Sequence, residues 1–306
     1  FKTGSTLPFV VLAIGLPIYL VQSVDRGVLQ GRLHFTRLAA SFAVEALVRL
    51  LGGLILVWSG LGVTGATAAL SLSFIASWLV MRPALLADAW TTEGAVLDHP
   101  SLPAASRATV VLLLGQIIIN NGDVVLAKQV LDPATAGSYA AVALVGRAVF
   151  FASWAVANAA FPFVSDSSDS RRVLRLSVAM VVTMSAIAVA AIAAAGDRLA
   201  PLLFGSTLSA TAHLFVPYAI ATAMFAVANL IATLDVGRDR VDTALCVLGG
   251  GILQTVLLLR SDGNPTGLVN AQLAAMTAVL IATLAVHARR PHPASIPHPA
   301  IVEAMA

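Results

Sequence analysis

Asp123 and Asn120 stand one helical turn apart inside an apolar run, Ala108 to Leu126, that also contains Gln116 and Asn121. A carboxylate and an amide at that spacing share nearly one helix face. Their oxygens, with Asn121 beside them, offer ligands for Na+ or an acceptor for H+. A carboxylate in hydrocarbon costs about 2.5–3.5 kcal/mol to insert, so it faces a partner or a water-filled cavity. The next apolar run, Ala134 to Val164, supplies a candidate partner in Arg147. An earlier run, Leu38 to Trp58, holds Glu45 and Arg49 at i,i+4 in the Glu-first order that favours a structural pair. The planar fork of a guanidinium suits phosphate oxygens, which gives Arg147 and Arg49 a second possible use.

The elements that must position these residues are membrane helices. The chain is 58% hydrophobic and 11% charged over 306 residues, against about 25% charged in soluble domains. Apolar runs of about 20 residues recur along its length, which indicates helices rather than the short alternating segments of a barrel. Nine spans are expected, near 6–24, 38–59, 63–82, 107–128, 134–163, 173–195, 211–234, 241–259 and 267–287. Twelve of the 18 Lys and Arg residues, Arg26, Arg32 and Arg37 among them, fall in loops on one side, and Lys2, Lys128, Arg198 and Arg260 on the other. The arginine-rich side is expected to be cytoplasmic. The C-terminus then lies inside and Phe1 outside. No charged segment precedes the first apolar run, so a signal peptide is not expected and the chain looks truncated at its start.

Other signals carry less. A net charge of +3 without a basic patch argues against a nucleic-acid partner. The only cysteine, Cys246, excludes an intrachain disulfide. Gly60 to Gly65 matches G-x-G-x-x-G but follows no strand, so it reads as a short extracellular turn and not a dinucleotide site. Gly249, Gly250 and Gly251 suit close helix approach or a bend. The four tryptophans suit interfacial anchoring. His292 and His298 sit in a Pro-rich tail, where solvation outweighs metal binding. No other cluster has metal-ligand spacing.

The longest loop, 83–106, contains Pro83, Pro100 and Pro103 and is the expected boundary between two bundles. Residues 1–83 form a partial N-terminal lobe of three helices, with 84–106 as a cytoplasmic linker. Residues 107–288 form a six-helix C-terminal lobe, and 289–306 a disordered cytoplasmic tail. Gly31-Arg32 recurs as Gly237-Arg238, and Gly62-Val63-Thr64-Gly65 resembles Asn264-Pro265-Thr266-Gly267. Spans one to three thus correspond to spans seven to nine as a parallel repeat.

The runs Gly27-Val28-Leu29-Gln30-Gly31-Arg32, Glu45-Ala46-Leu47-Val48-Arg49-Leu50 and Gly60-Leu61-Gly62-Val63-Thr64-Gly65-Ala66 resemble the polysaccharide flippases. Those flippases share a superfamily with the lipid II flippase and the multidrug and toxin extruders. Asp123 with Lys128, Pro133, Ala136-Gly137-Ser138-Tyr139-Ala140, Arg147 and Phe161-Pro162 continue the resemblance, which spans residues 24–165. It implies a two-lobe, twelve-helix fold of which helices four to twelve are present here. It also implies a cationic cavity for a lipid-linked pyrophosphate, to which Arg147 and Arg49 would contribute. In some relatives a carboxylate on the helix of Asp123 contributes to a cation site, which would make Asp123, Asn120 and Asn121 the coupling residues and Glu45 a structural partner.

The leading expectation is a non-enzymatic flippase. It would move a polyprenyl-pyrophosphate-linked saccharide across a bacterial inner membrane by alternating access of two lobes. Its partners would be that polyanionic lipid, the surrounding membrane lipids and, in polysaccharide synthesis, a polymerase or glycosyltransferases. It needs no cofactor beyond Na+ or H+. The alternatives are a cation-coupled multidrug exporter and a membrane-embedded polyprenyl-phosphate sugar transferase. Net positive charge in the cavity favours pyrophosphate cargo and net acidity favours cationic drugs. With Glu45, Arg49, Asp123 and Arg147 as the interior charges, the two signs balance.

Overall fold

The computed structural model describes residues 5–89, 102–165, 170–204, 211–238 and 240–289. The described chain is all-helical. Its nine helices are α1 (Leu7–Gly31), α2 (Phe35–Leu56), α3 (Gly62–Ala89), α4 (Leu102–Val130), α5 (Pro133–Ser165), α6 (Ser170–Phe204), α7 (Phe215–Val236), α8 (Asp242–Leu259) and α9 (Pro265–Arg289). Eight helical stretches among the described residues are long and apolar enough to cross a membrane. One of them, 48 residues from Phe35 to Arg82, is twice the needed length. A break at Gly60 (φ 91, ψ 1) and Gly62 (φ 51) divides it into α2 and α3. Both backbone positions lie where a side chain is unwelcome, which is why the glycines mark the reversal.

Local chemistry sets the other helix starts. Pro133 opens α5, and Asp132 just before it accepts from the amides of Ala134 and Thr135, both at 3.1 Å. These bonds, with that from the Thr135 hydroxyl the largest, hold the Asp132 carboxyl below the usual aspartate range. Pro265 opens α9 in the same way, with Asn264 Oδ1 accepting from the Gly267 amide at 2.7 Å.

The helices form two compact units, α1–α3 and α4–α9. In the first, α3 packs against both α1 and α2, which meet each other far less. A Cβ on Gly52 would lie 3.3 Å from that of Ala69, and one on Gly65 2.8 Å from the Leu56 carbonyl oxygen, so α2 and α3 form a tight antiparallel hairpin. The same arrangement recurs in α7–α9, the triple that the short sequence repeat pairs with α1–α3: α9 packs on both α7 and α8.

In the second unit α7 meets every other helix. It can do so because its face is built from Ala219, Ala221, Ala226, Ala228 and Ala232, all fully buried. Lipid offers no hydrophobic drive for helix association, so small residues that bring backbones together do the packing. Gly115 of α4 lies against the Val247–Leu248 backbone of α8. Gly250 meets Val279 and Gly251 meets Ile118, whereas Gly249 faces open space. Two of the three consecutive glycines therefore serve close approach.

Several boundaries differ from expectation. The 83–106 loop is shorter, because α3 continues to Ala89 and α4 begins at Leu102; residues 90–101 lie outside the described residues, as do the tail after Arg289 and both tail histidines. Helix α1 runs seven residues past the expected end of its span, through Pro17, so Arg26 is a helix residue and not a loop residue. Polar residues that find partners can extend a helix beyond its apolar run, and that is the case here. Trp78 is likewise engaged inside its unit, donating to Asp25 Oδ2 at 3.0 Å with the Arg82 guanidinium 4.2 Å over its ring.

Candidate functional site

The first unit contains a polar cluster built by all three of its helices. Gln22 and Arg26 of α1, one turn apart, reach Glu45 of α2 and Ser77 of α3. Gln22 Nε2 donates to Glu45 Oε2 at 2.7 Å and to Ser77 Oγ at 2.9 Å. Arg26 donates to the same carboxylate oxygen at 2.7 Å, to Ser77 Oγ at 2.9 Å and, through Nε, to Ser41 Oγ at 3.1 Å. Its guanidinium also stacks 3.9 Å over the Phe42 ring. The other carboxylate oxygen, Oε1, is paired with Arg49.

The two arginines differ sharply in freedom. The Arg26 side chain is 12% exposed and that of Arg49 48% exposed, while both share a Glu45 that is 11% exposed. Arg49 also borders an apolar groove of about 490 Å3 that runs past Gly53 and Val57 to Trp58. The expected Glu45–Arg49 pair is present, but Arg26 is the better-fixed partner. A span that ends at residue 24 leaves Arg26 in a loop, and Gln22, although inside that span, has no partner visible in its own segment. Their i,i+4 spacing on one face was the available signal.

In the second unit Asp123 of α4 is fully buried. Tyr218 of α7 donates to its Oδ2 at 2.6 Å, and Tyr139 of α5 reaches the same oxygen at 3.3 Å. Arg147 of α5 approaches the other oxygen, Oδ1, at 3.4 Å, with its own side chain 22% exposed. The two tyrosine rings meet edge to face, 6.1 Å between centroids. Gly146 beside Arg147 has no room for a Cβ, because the Tyr218 ring lies directly over it. The partnership of Asp123 with Arg147 is as the sequence expects, while nothing in the sequence marks Tyr139 or Tyr218 as a partner of Asp123. A tyrosine in an apolar span resembles any interfacial aromatic until the neighbouring helix is known.

The two asparagines separate. Asn120 lines a void of about 10 Å3 together with Arg147, Tyr218, Thr222 and Gln272, room for about one water. Asn121 does not join Asp123: its side chain is exposed and donates back to the Ile117 carbonyl at 3.0 Å. A step of one residue turns a helix by about 100°, so neighbours cannot share one inward face. Two amide pairs extend the polar interior, Gln116 to Asn229 at 2.7 Å and Gln254 to Gln272 at 3.0 Å. A second buried carboxylate, Asp235 at the end of α7, is held by His287 at 2.9 Å, Arg238 at 3.5 Å and Arg240 at 3.7 Å.

No protein-family model matches this chain, and no curated protein matches it in sequence. Among solved structures it is similar to a MATE protein in the straight conformation, with TM-score 0.67 and 13% identity over 91% of this chain and 68% of that one. It is also similar to an outward-facing multidrug resistance MATE family transporter of the MOP superfamily, with TM-score 0.60, 14% identity and the same coverage. The chain is thus an all-α polytopic membrane protein with the fold of the MATE transporters. The polar clusters around Glu45 and Asp123 are features of its own residues within that fold.

Proposed function

We propose that this protein is a membrane transporter that flips an anionic, polyprenyl-pyrophosphate-linked saccharide between leaflets by alternating access. One observation carries the choice of cargo: the first unit has a surplus cation. Arg26 neutralises Glu45 through one short hydrogen bond at 2.7 Å, and Arg49 remains as a second guanidinium on the same carboxylate, half exposed. Nearby Asp25 and Arg82 offset each other through Trp78. With Arg26 inside the helix, the first unit by itself carries net positive charge, which favours pyrophosphate. Within the second unit Arg147 is the candidate anion contact, and Asp123 with Asn120 is the candidate coupling element for H+ or Na+.

The arginine asymmetry between loops supports insertion in a bacterial inner membrane with the C-terminus cytoplasmic. A cation-coupled multidrug exporter is the second reading. It is favoured by the solved relatives' description and by the fully buried Asp123.

The test is reconstitution of the full chain in liposomes carrying a fluorescent polyprenyl-pyrophosphoryl disaccharide in the inner leaflet. Protein-dependent exposure to an external quencher is expected, and it should fall at least tenfold in Arg49→Gln. No flipping above protein-free liposomes, with ethidium uptake driven by a Na+ or pH gradient, would replace this reading with the exporter.

A further inference from the structure

Both carboxylates are held in the same unequal way. Glu45 Oε2 is saturated by Gln22 and Arg26, and Oε1 is left to Arg49. Asp123 Oδ2 is taken by Tyr218 and Tyr139, and Oδ1 is left to Arg147 at 3.4 Å. In each case fixed donors occupy one oxygen, and the other faces an arginine that is more exposed than its partner.

From this geometry we infer that Arg26 is a positioning residue whose charge makes Arg49 releasable to an anionic ligand. The inference rests on the anionic-cargo reading above for the ligand, but the release itself is a property of the cluster. An arginine bound to a lone buried carboxylate cannot leave without stranding that charge. Here Arg26 is already on Glu45 Oε2 at 2.7 Å, so the carboxylate would keep a guanidinium if Arg49 left. Two guanidiniums on one carboxylate also repel each other. The more exposed is the one that moves, because Arg26 is fixed by Ser41, Ser77 and the Phe42 ring. Gln22, fully buried, adds a neutral donor to the same oxygen and keeps the carboxylate oriented with Oε1 outward. Arg49 is then set for a phosphate, which its fork can take bidentately.

The test uses the full chain in detergent and two readouts. The first is the rate at which phenylglyoxal modifies Arg49, followed by peptide mass spectrometry. Wild-type Arg49 should react while Arg26 does not. Arg26→Gln should slow Arg49 by about fivefold to tenfold, within the range of couplings between contacting residues, because Arg49 is then the only one of the two arginines left on Glu45. Arg26→Gln with Glu45→Gln should restore or exceed the wild-type rate. Arg26→Lys, which keeps the charge and is a safeguard against misfolding of the glutamine variant, should stay within about twofold by the same reasoning. An Arg49 rate that is unchanged in Arg26→Gln, or still slow in the double variant, overturns the inference.

The second readout is protection of Arg49 by farnesyl pyrophosphate, with farnesol as control. Protection by the pyrophosphate alone supports the ligand class. If neither protects while the rate pattern holds, the release device stands and the anionic-cargo reading fails.

Discussion

Tyr218→Phe should destabilise the second unit much more than Tyr139→Phe, although both remove a hydroxyl from the same carboxylate oxygen. The Tyr218 contact at 2.6 Å falls in the range of short charge-assisted bonds, and such bonds contribute about 1.5–3 kcal/mol. The Tyr139 contact at 3.3 Å is beyond good O–H···O geometry. Interhelical hydrogen bonds of ordinary quality in membranes average about 0.6 kcal/mol. At about 2 °C per kcal/mol for a large chain, Tyr218→Phe should lower Tm by about 3–6 °C and Tyr139→Phe by about 1 °C. Cys246, the only thiol and partly buried on α8, lets a thiol-reactive dye report the transition. A Tyr139→Phe shift equal to or larger than that of Tyr218→Phe would refute the reasoning. So would shifts under about 1 °C in both, which would leave Arg147 as the main support of Asp123.

Other outcomes follow from packing, capping and charge. Gly115→Ala places a Cβ 2.8 Å from the Leu248 amide nitrogen, and overpacking against backbone should cost about 1–3 kcal/mol. Gly249→Ala meets nothing within 4 Å and should gain up to about 1 kcal/mol of helix propensity. Thermal melts that rank these two the other way would contradict the α4–α8 contact. Asp132 is held below the usual aspartate range, so its support of α5 is complete above that range and is lost as pH falls through its lowered folded value. Protection of the Thr135 amide, relative to its intrinsic exchange rate at each pH, should fall there in wild type and stay flat in Asp132→Asn; an identical pH response in both would exclude the cap. In a Cys246→Ala background, an impermeant maleimide should label Ser261→Cys on intact cells and Val241→Cys only after permeabilisation. The reverse would invert the orientation.

Helix number and class were legible because apolar length is a one-dimensional signal. The glycines at 60 and 62 even marked where a 48-residue helical stretch must reverse. Pairs within one helix, such as Glu45 with Arg49, were legible from spacing alone. Contacts between helices were legible only for opposite charges in adjacent spans, Asp123 and Arg147. Tyr218 and Asp123, separated by 95 residues, carry no mark of their meeting, since many aromatic positions fit an apolar span equally well. Arg26 was obscured for a different reason. Hydropathy ends a span at the first charged residues, whereas a helix continues wherever those charges find partners, as Arg26 does in Glu45, Ser41 and Ser77. Asn121 shows the opposite case: it is next to Asn120 in sequence, but the helix turns its side chain outward to the Ile117 carbonyl.

The order in which the donors around Asp123 emerge has a consequence for biogenesis. Tyr139 and Arg147 follow Asp123 by 16 and 24 residues, but Tyr218, its shortest contact, follows by 95. At roughly 5–20 residues per second, Asp123 must wait roughly 5–20 s for its principal partner. During that interval α4 and α5 are in the insertion machinery without α7, and the carboxylate would face lipid were it not for the next hairpin arm. Arg147 and Tyr139 therefore act as its companions during synthesis as well as in the finished protein. Loss of Arg147 should then show first as poor membrane insertion and lower yield, even where the assembled protein tolerates it.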